Sequence, residues 1–345
     1  MTTSIKSLQA QGETSTQLGD WGVAAIAKHC RKFCKHEAGT LADQDPEELH
    51  QMRVGMRRLR SALRGFAPAL RLPPPLSEGR VGKLARTLGS LRDLDVLQAA
   101  LEQDYQPRLP PAEQQALGPV LQALQKQRRR AAKAVKRTLT GKRYTQLKAG
   151  FQAWLEQPQY ELPALLPLAA VLPDLLLPSW SELLLHPAWL VGVCPEGDRL
   201  SVPELPEAPA LAAFLHTHAI ALHDLRKTAK RVRYQLELFT PCYGEAYQRT
   251  LDQVKAIQSV LGDVQDSVVL EEFLTRTLGS TWGDRLPVLA AHLQAARGQK
   301  WGEWQALQRQ FLDPATRHAL RATLLPQPPT PNTTELEAES SDTTP

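Results

Sequence analysis

One segment of this chain occurs twice, and that repeat limits the possible folds more than any other feature. His50 is matched by His223 at an offset of 173 residues, and the same offset pairs Arg53 with Arg226, Arg58 with Arg231, Arg60 with Arg233 and Phe66 with Phe239. It continues without a gap into "LGSLRDLDVL" (Leu88 to Leu97), which lies over "LGDVQDSVVL" (Leu261 to Leu270). Leu88, Gly89, Asp93 and Leu97 thereby match Leu261, Gly262, Asp266 and Leu270. A chance basic run would not carry its neighbours with it. Ala, Leu, Gln, Arg and Glu dominate both copies and β-branched alternation is nearly absent, so the chain reads as all-α. Two copies of one helical unit imply two similar bundles related by a pseudo-twofold axis.

The chain has 345 residues and 42% hydrophobic content, enough for one large core or two modest ones. Residues 1–17 form a polar N-terminal segment with no apolar signal core. Residues 18–325 form the helical body, its first half spanning about 18–157 and its second about 210–325. Ten of the 27 prolines fall between Pro158 and Pro209, so that stretch is expected to be an irregular, partly packed connection. Prolines also break its apolar run short of the roughly 18 residues that a membrane span needs. Residues 326–345, rich in Pro, Thr, Ser and Glu, are expected to be a disordered acidic tail. That tail lowers the formal charge to +5; without its four acids the body carries about +9. A surplus of this sign favours anionic partners in general. Four cysteines in so long a chain fit a reducing compartment, and the protein is expected to be cytoplasmic.

The charge is concentrated in the repeat. "HQMRVGMRRLRSALRGF", His50 to Phe66, follows an expected N-cap at Asp45, a proline at the first helical position and a capping-box Glu48. On a helical projection His50, Arg53, Arg57, Arg60 and Arg64 fall within about 80° of one another. Met52, Met56, Leu59, Leu63 and Phe66 fill a separate apolar sector, and only Arg58 stands well off the stripe. In the second copy His223, Arg226, Lys230 and Arg233 share a sector, but Glu237 replaces Arg64 and shortens the stripe. A solvated helix face would mix signs. Here like charges recur at helical spacing with no acid between them in the first copy, each adjacent pair costing a few tenths of a kcal/mol. That pattern points to an anion-binding stripe. At about 1.5 Å per residue the first stripe is about 21 Å long, suited to an extended polyanion. The guanidinium fork supplies paired hydrogen bonds to phosphate oxygens. The leading histidines, with an ordinary pKa of about 6.5, would gain charge beside phosphate.

"HQMRVGMRRLR" with "LGSLRDLDVL", and the degenerate copy "HDLRKTAKRVRY" with "LGDVQD", resemble the CHAD domain family, the conserved histidine α-helical domain. The resemblance covers about residues 18–325. It implies two four-helix bundles with long helices and a basic central groove that binds inorganic polyphosphate. It also implies phosphate contacts at His50, Arg53, Arg57, Arg58 and Arg60, and at His223, Arg226, Lys227, Lys230, Arg231 and Arg233; Arg64 joins them from the stripe itself. The long proline- and leucine-rich connection departs from a compact linker, and the resemblance assigns it no role.

Other constellations are weaker. "KQRRRAAKAVKRTLTGKRY", from Lys126, places Arg129, Lys133, Lys136 and Arg137 on one face, which could extend a polyanion path or be a solvated outer helix. Lys83 and Arg86, near the repeated "LG" element, are candidate minor contributors. Asp93 and Asp266 are best suited to holding an arginine; a magnesium pair of Asp93 and Asp95 is the lesser alternative. Gly89 and Gly262 are expected to allow close helix packing. Cys30 and Cys34 read as buried thiols, since no zinc-ligand spacing surrounds them. No metal, cofactor or catalytic motif is expected; "TGKRY" lacks the first glycine and the Ser/Thr of a phosphate loop. The expectation is a non-catalytic polyphosphate-binding module, in the cytoplasm and in association with polyphosphate granules. A nucleic-acid (RNA) binder is the runner-up and a metal-dependent phosphohydrolase the third class.

Overall fold

The computed structural model describes residues 17–197, 199–203 and 208–325; the expected acidic tail and all but the last residue of the polar N-terminal segment lie outside these. The described residues are all-α apart from one short hairpin. Its elements are α1 (Leu18–Lys35), α2 (Glu37–Ala42), α3 (Pro46–Gly65), α4 (Glu78–Ala99), α5 (Pro111–Ala116), α6 (Gly118–Leu139), α7 (Lys142–Glu156) and α8 (Leu168–Leu184). There follow β1 (Cys194–Glu196), β2 (Arg199–Ser201), α9 (Ala208–Leu238), α10 (Glu245–Leu278), α11 (Trp282–Arg285), α12 (Pro287–Leu312) and α13 (Pro314–Ala322). β1 and β2 pair antiparallel, Cys194 opposite Ser201.

The offset of 173 holds through the secondary structure. α3 and α9 end at equivalent residues, Gly65 and Leu238, as do α6 and α12 at Leu139 and Leu312. The order of packing also repeats: α1 lies on α3, α3 on α4 and α4 on α6, while α8 lies on α9, α9 on α10 and α10 on α12. The halves meet where α3 packs on α9, and the equivalent rings of Phe66 and Phe239 stand 5.5 Å apart there.

α3 begins as its sequence dictates. Asp45 is the N-cap, its side chain accepting from the Glu47 amide at 2.8 Å, with Pro46 at the first position. Glu48 does not close the capping box; its carboxylate takes His36 Nδ1 at 3.0 Å instead. Leu49, Met52, Met56, Leu59 and Leu63 are buried as the apolar sector requires. At the crossing with α1 only a glycine fits, because a Cβ on Gly55 would stand 2.7 Å from the Phe33 amide nitrogen.

The connection corrects the expectation of an irregular segment. α8 is a 17-residue helix with Pro173 and Pro178 inside it. Leu168, Leu172, Leu176, Trp180 and Leu184 recur every fourth residue and are all buried. Burial of that face outweighs the roughly 3 kcal/mol that each internal proline costs. Gln235 of α9 donates to the Leu175 carbonyl, and Arg317 of α13 to that of Leu184, tying α8 to the second half. Pairing of Leu70 with Tyr160 and Gln17 with Pro167 fastens the start of the connection to the first half. Because the prolines do not interrupt it, Leu168–Leu190 has the length and the mean hydropathy of 1.4 that a membrane span could have by composition alone. Its Leu172, Leu176 and Trp180 face lies in the main core, and its Glu182 pairs with Arg231.

Two cores hold the halves together. The larger runs through α1, α3, α8, α9 and α10. The smaller is built largely from equivalent residues of the two copies: Leu101 with Leu274, Leu109 with Trp282, Val120 with Leu293. Beside it the buried carboxylate of Glu113 accepts from the amides of Val288 and Leu289, at 2.9 and 3.1 Å, and so caps α12 from the other half.

Candidate functional site

A cleft of about 820 Å³ opens between α3 and α4 of the first half and α8 and α9 of the second. Arg53, Arg57, Arg60 and Arg64 line it from α3, Arg86 from α4, and Lys227, Lys230 and Arg231 from α9. Three carboxylates join these eight cations: Glu78, Asp93 and Glu182. α8 forms the remaining wall with Leu175, Pro178, Ser179 and Glu182, so the connection has a place in the site. Its every-fourth-residue leucine pattern was the available signal for that helix.

The arginine stripe of α3 faces one space because its opposite sector is buried in the core. Each member is differently held. Arg53 Nη1 donates to the Ala85 carbonyl at 3.3 Å and Nη2 stands 4.0 Å from Asp93. A Cβ on Gly89 would lie 2.5 Å from Arg53 Nη1, so this glycine makes room for a guanidinium. The second copy repeats the unit: Arg226 stands 3.9 Å from Asp266 and packs over Gly262. The aspartates thus orient arginines. Asp95, the other half of the possible magnesium pair, is buried and engaged by Arg128 at 2.7 Å, whereas the Asp93 side chain is 76% exposed. No cluster of three or more His, Cys, Asp or Glu suited to a metal occurs among the described residues. Cys30 is buried and Cys34 half-buried, both free thiols.

Arg60 donates to Glu78 at 2.6 Å, and Arg231 pairs with Glu182 across from α8. Arg57, Arg64, Arg86 and Lys230 have no ion-pair partner among the described residues. Arg57 lies over the Tyr234 ring, 4.1 Å from its centroid. Lys230, its equivalent in the repeat, is pushed down to about 8 by burial and then by Arg57, Arg226 and Arg53. Burial also lowers Arg53 and Arg57 from the usual arginine value. The site therefore holds a concentrated positive potential that its own carboxylates only partly offset.

Several residues expected at the site lie elsewhere. Arg58 turns to Glu237 at 3.1 Å, and Arg233 donates to the same carboxylate at 2.9 Å and to Gln258 at 3.2 Å. Glu237, the residue that shortens the second stripe, thus takes up one arginine from each copy at their junction. Arg226 is held by Asp266, and neither it nor Arg233 lines the cleft. His50 and His223 head their stripes outside the lining. Burial lowers both below the ordinary histidine value, helped first by Arg92 at His50 and by Lys227 at His223. Lys83 is exposed but outside the cleft, as are Arg129, Lys133, Lys136 and Arg137 on α6. Arg86, Gln235 and the α8 residues contribute more than the repeat pattern indicated.

The CHAD domain family model matches residues 24–275. The crystal structure of the CHAD domain from the plant Ricinus communis is 27% identical and superposes with a TM-score of 0.55, covering 90% of this chain and 92% of that one. PptA from Streptomyces chartreusis has a TM-score of 0.59 at 17% identity, covering 86% of this chain and all of that one, a likeness of fold. No curated protein matches the chain. With the family model covering most of its length and a duplicated helical unit around one basic cleft, the chain belongs to the CHAD domain family.

Proposed function

We propose that the cleft binds inorganic polyphosphate and that the protein is a non-catalytic binding or localisation module acting in the cytoplasm. The observation that carries this reading is the convergence of eight cationic side chains from both copies on one cleft, four of them without a carboxylate partner. The family resemblance in the sequence carries the same expectation. Binding is electrostatic: arginine forks and Lys230 replace the counterions condensed along a linear phosphate chain, and the logarithm of affinity falls linearly with the logarithm of salt. Asp93 and Glu78 hold Arg53 and Arg60 in place until a stronger anion arrives.

The runner-up, single-stranded RNA, would need aromatic faces for its bases. Tyr234 offers none: it is 4% exposed, with Arg57 and Arg233 over its ring. Competition between long polyphosphate and RNA of equal charge tests the assignment directly. Polyphosphate should remain bound; displacement by RNA at matched concentration would make the protein an RNA binder. Release of orthophosphate on incubation with magnesium would make it a hydrolase.

A further inference from the structure

α6 carries Lys126, Arg129, Arg130, Lys133, Lys136 and Arg137, and no Asp or Glu anywhere along its length. All six are exposed, and none lies within ion-pair distance of a carboxylate among the described residues. They occupy an arc of about 120°, running about 16 Å along the axis. Val120, Leu124, Val135 and Leu139 occupy the opposite side and are buried. Six like charges on one face raise the energy of the free helix.

The repeat supplies an independent observation. The equivalent positions of α12 hold Gln299, Gly302, Glu303, Ala306, Arg309 and Gln310, whose charges cancel. A strip needed only to solvate the outer helix of the fold would serve both copies. This one belongs to the half that supplies the arginine stripe of the cleft.

The strip also lies beside the cleft. α4 and α6 run antiparallel: Leu101, just past α4, shares the smaller core with Val120 and Leu124, while Val81 and Leu88 share the larger with Val135 and Leu139. The Arg128–Asp95 pair fixes their register. Nine residues back along α4 from Asp95 is Arg86, on the cleft wall, and nine residues on along α6 from Arg128 is Arg137. Arg86 and Arg137 thus stand at the same level along the paired helices, each half a turn round from the Asp95–Arg128 contact, one on the cleft wall and the other at the near end of the strip.

We infer that the outer face of α6, one helix away from the cleft wall formed by α4, is a second polyanion-binding surface, which takes up the part of a long polyphosphate chain that overhangs the cleft. This rests on the polyphosphate reading above. Its consequence is a chain-length preference: chains long enough to leave the cleft gain the contacts of α6, and short ones do not.

The test compares polyphosphates of about ten and about one hundred phosphates on the wild type and on a variant with Arg129, Arg130, Lys133, Lys136 and Arg137 all replaced by Gln, which keeps helix propensity. Circular dichroism and thermal unfolding confirm that the variant is folded. Short-chain affinity should stay within about twofold, while long-chain affinity falls at least about tenfold and its salt slope shrinks by about 2 to 3. Unchanged long-chain affinity and slope would overturn the inference and leave the cleft reading standing. Equal weakening of both lengths would also overturn it, because the strip would then act only through its general field. Failure of the wild type to bind the short chain would remove the cleft reading, and this one with it.

Discussion

α3 and α9 are two copies of one helix, and the protein uses them differently. Both carry an arginine oriented by an aspartate over a glycine, Arg53 with Asp93 and Gly89, Arg226 with Asp266 and Gly262. Both pack their apolar sectors into the larger core. Yet α3 presents its stripe to the cleft, while α9 presents Lys227, Lys230 and Arg231 there and directs Arg226 to Asp266 of α10 and Arg233 to its own Glu237. The difference follows from Glu237 at the place of Arg64, and from α8 standing on α9 where α1 stands on α3. Duplication supplies the scaffold; departures from symmetry supply the site.

The largest test of this contrast is steric. At the position equivalent to Gly55, α9 carries Thr228, 1% exposed, so the second half accommodates a β-branched side chain where the first does not. Gly55→Thr should destabilise the protein by about 3 kcal/mol in urea unfolding, and Thr228→Gly by about half that. Equal costs would mean that the α1 crossing is no tighter than its counterpart.

Electrostatic exchange comes next. Arg53→Ala with Arg57→Ala should weaken polyphosphate binding about tenfold or more at moderate salt. A double change in the second copy that avoids the cleft, Arg226→Ala with Arg233→Ala, should cost less than about threefold. Parity in titration calorimetry would place the ligand across both stripes. Glu237→Gln, which releases Arg58 and Arg233, should strengthen binding about threefold at low salt, an effect that fades as salt screens it.

The smallest test is one of pH. Lys230 sits at about 8 in the free protein, and a bound anion moves it back up, so above that pH binding takes up a proton. Affinity should therefore decline as pH rises from about 8, whereas Lys230→Arg, copying Arg57, should keep it level. The depressed values of His50 and His223 carry the same sign at the acid end: binding that recharges them strengthens as pH falls. Affinity flat from pH 5 to pH 9 would exclude all three groups.

The sequence makes the first half's stripe legible because Arg53, Arg57, Arg60 and Arg64 sit on one helix, where spacing alone decides which residues share a face. The repeat does the same for the pairing of Asp93 with Arg53. Arg58 was not legible as a partner of Glu237, because the two are 179 residues apart and meet only once the halves pack. The lowered histidines depend on burial beside Arg92 and Lys227, which composition does not report. α8 was hidden by its prolines, whose local cost is overridden by a buried leucine face that exists only in the folded protein.

The smaller core has an evolutionary reading. Leu101, Leu109 and Val120 of one copy find their neighbours in Leu274, Trp282 and Leu293, the corresponding residues of the other. A protein encoding a single copy would expose this oily face and could hide it only against a twin. The present molecule is in effect a homodimer joined head to tail in one chain, and once fused its two members became free to diverge, one lining the cleft with four arginines and the other holding two of its equivalents on carboxylates.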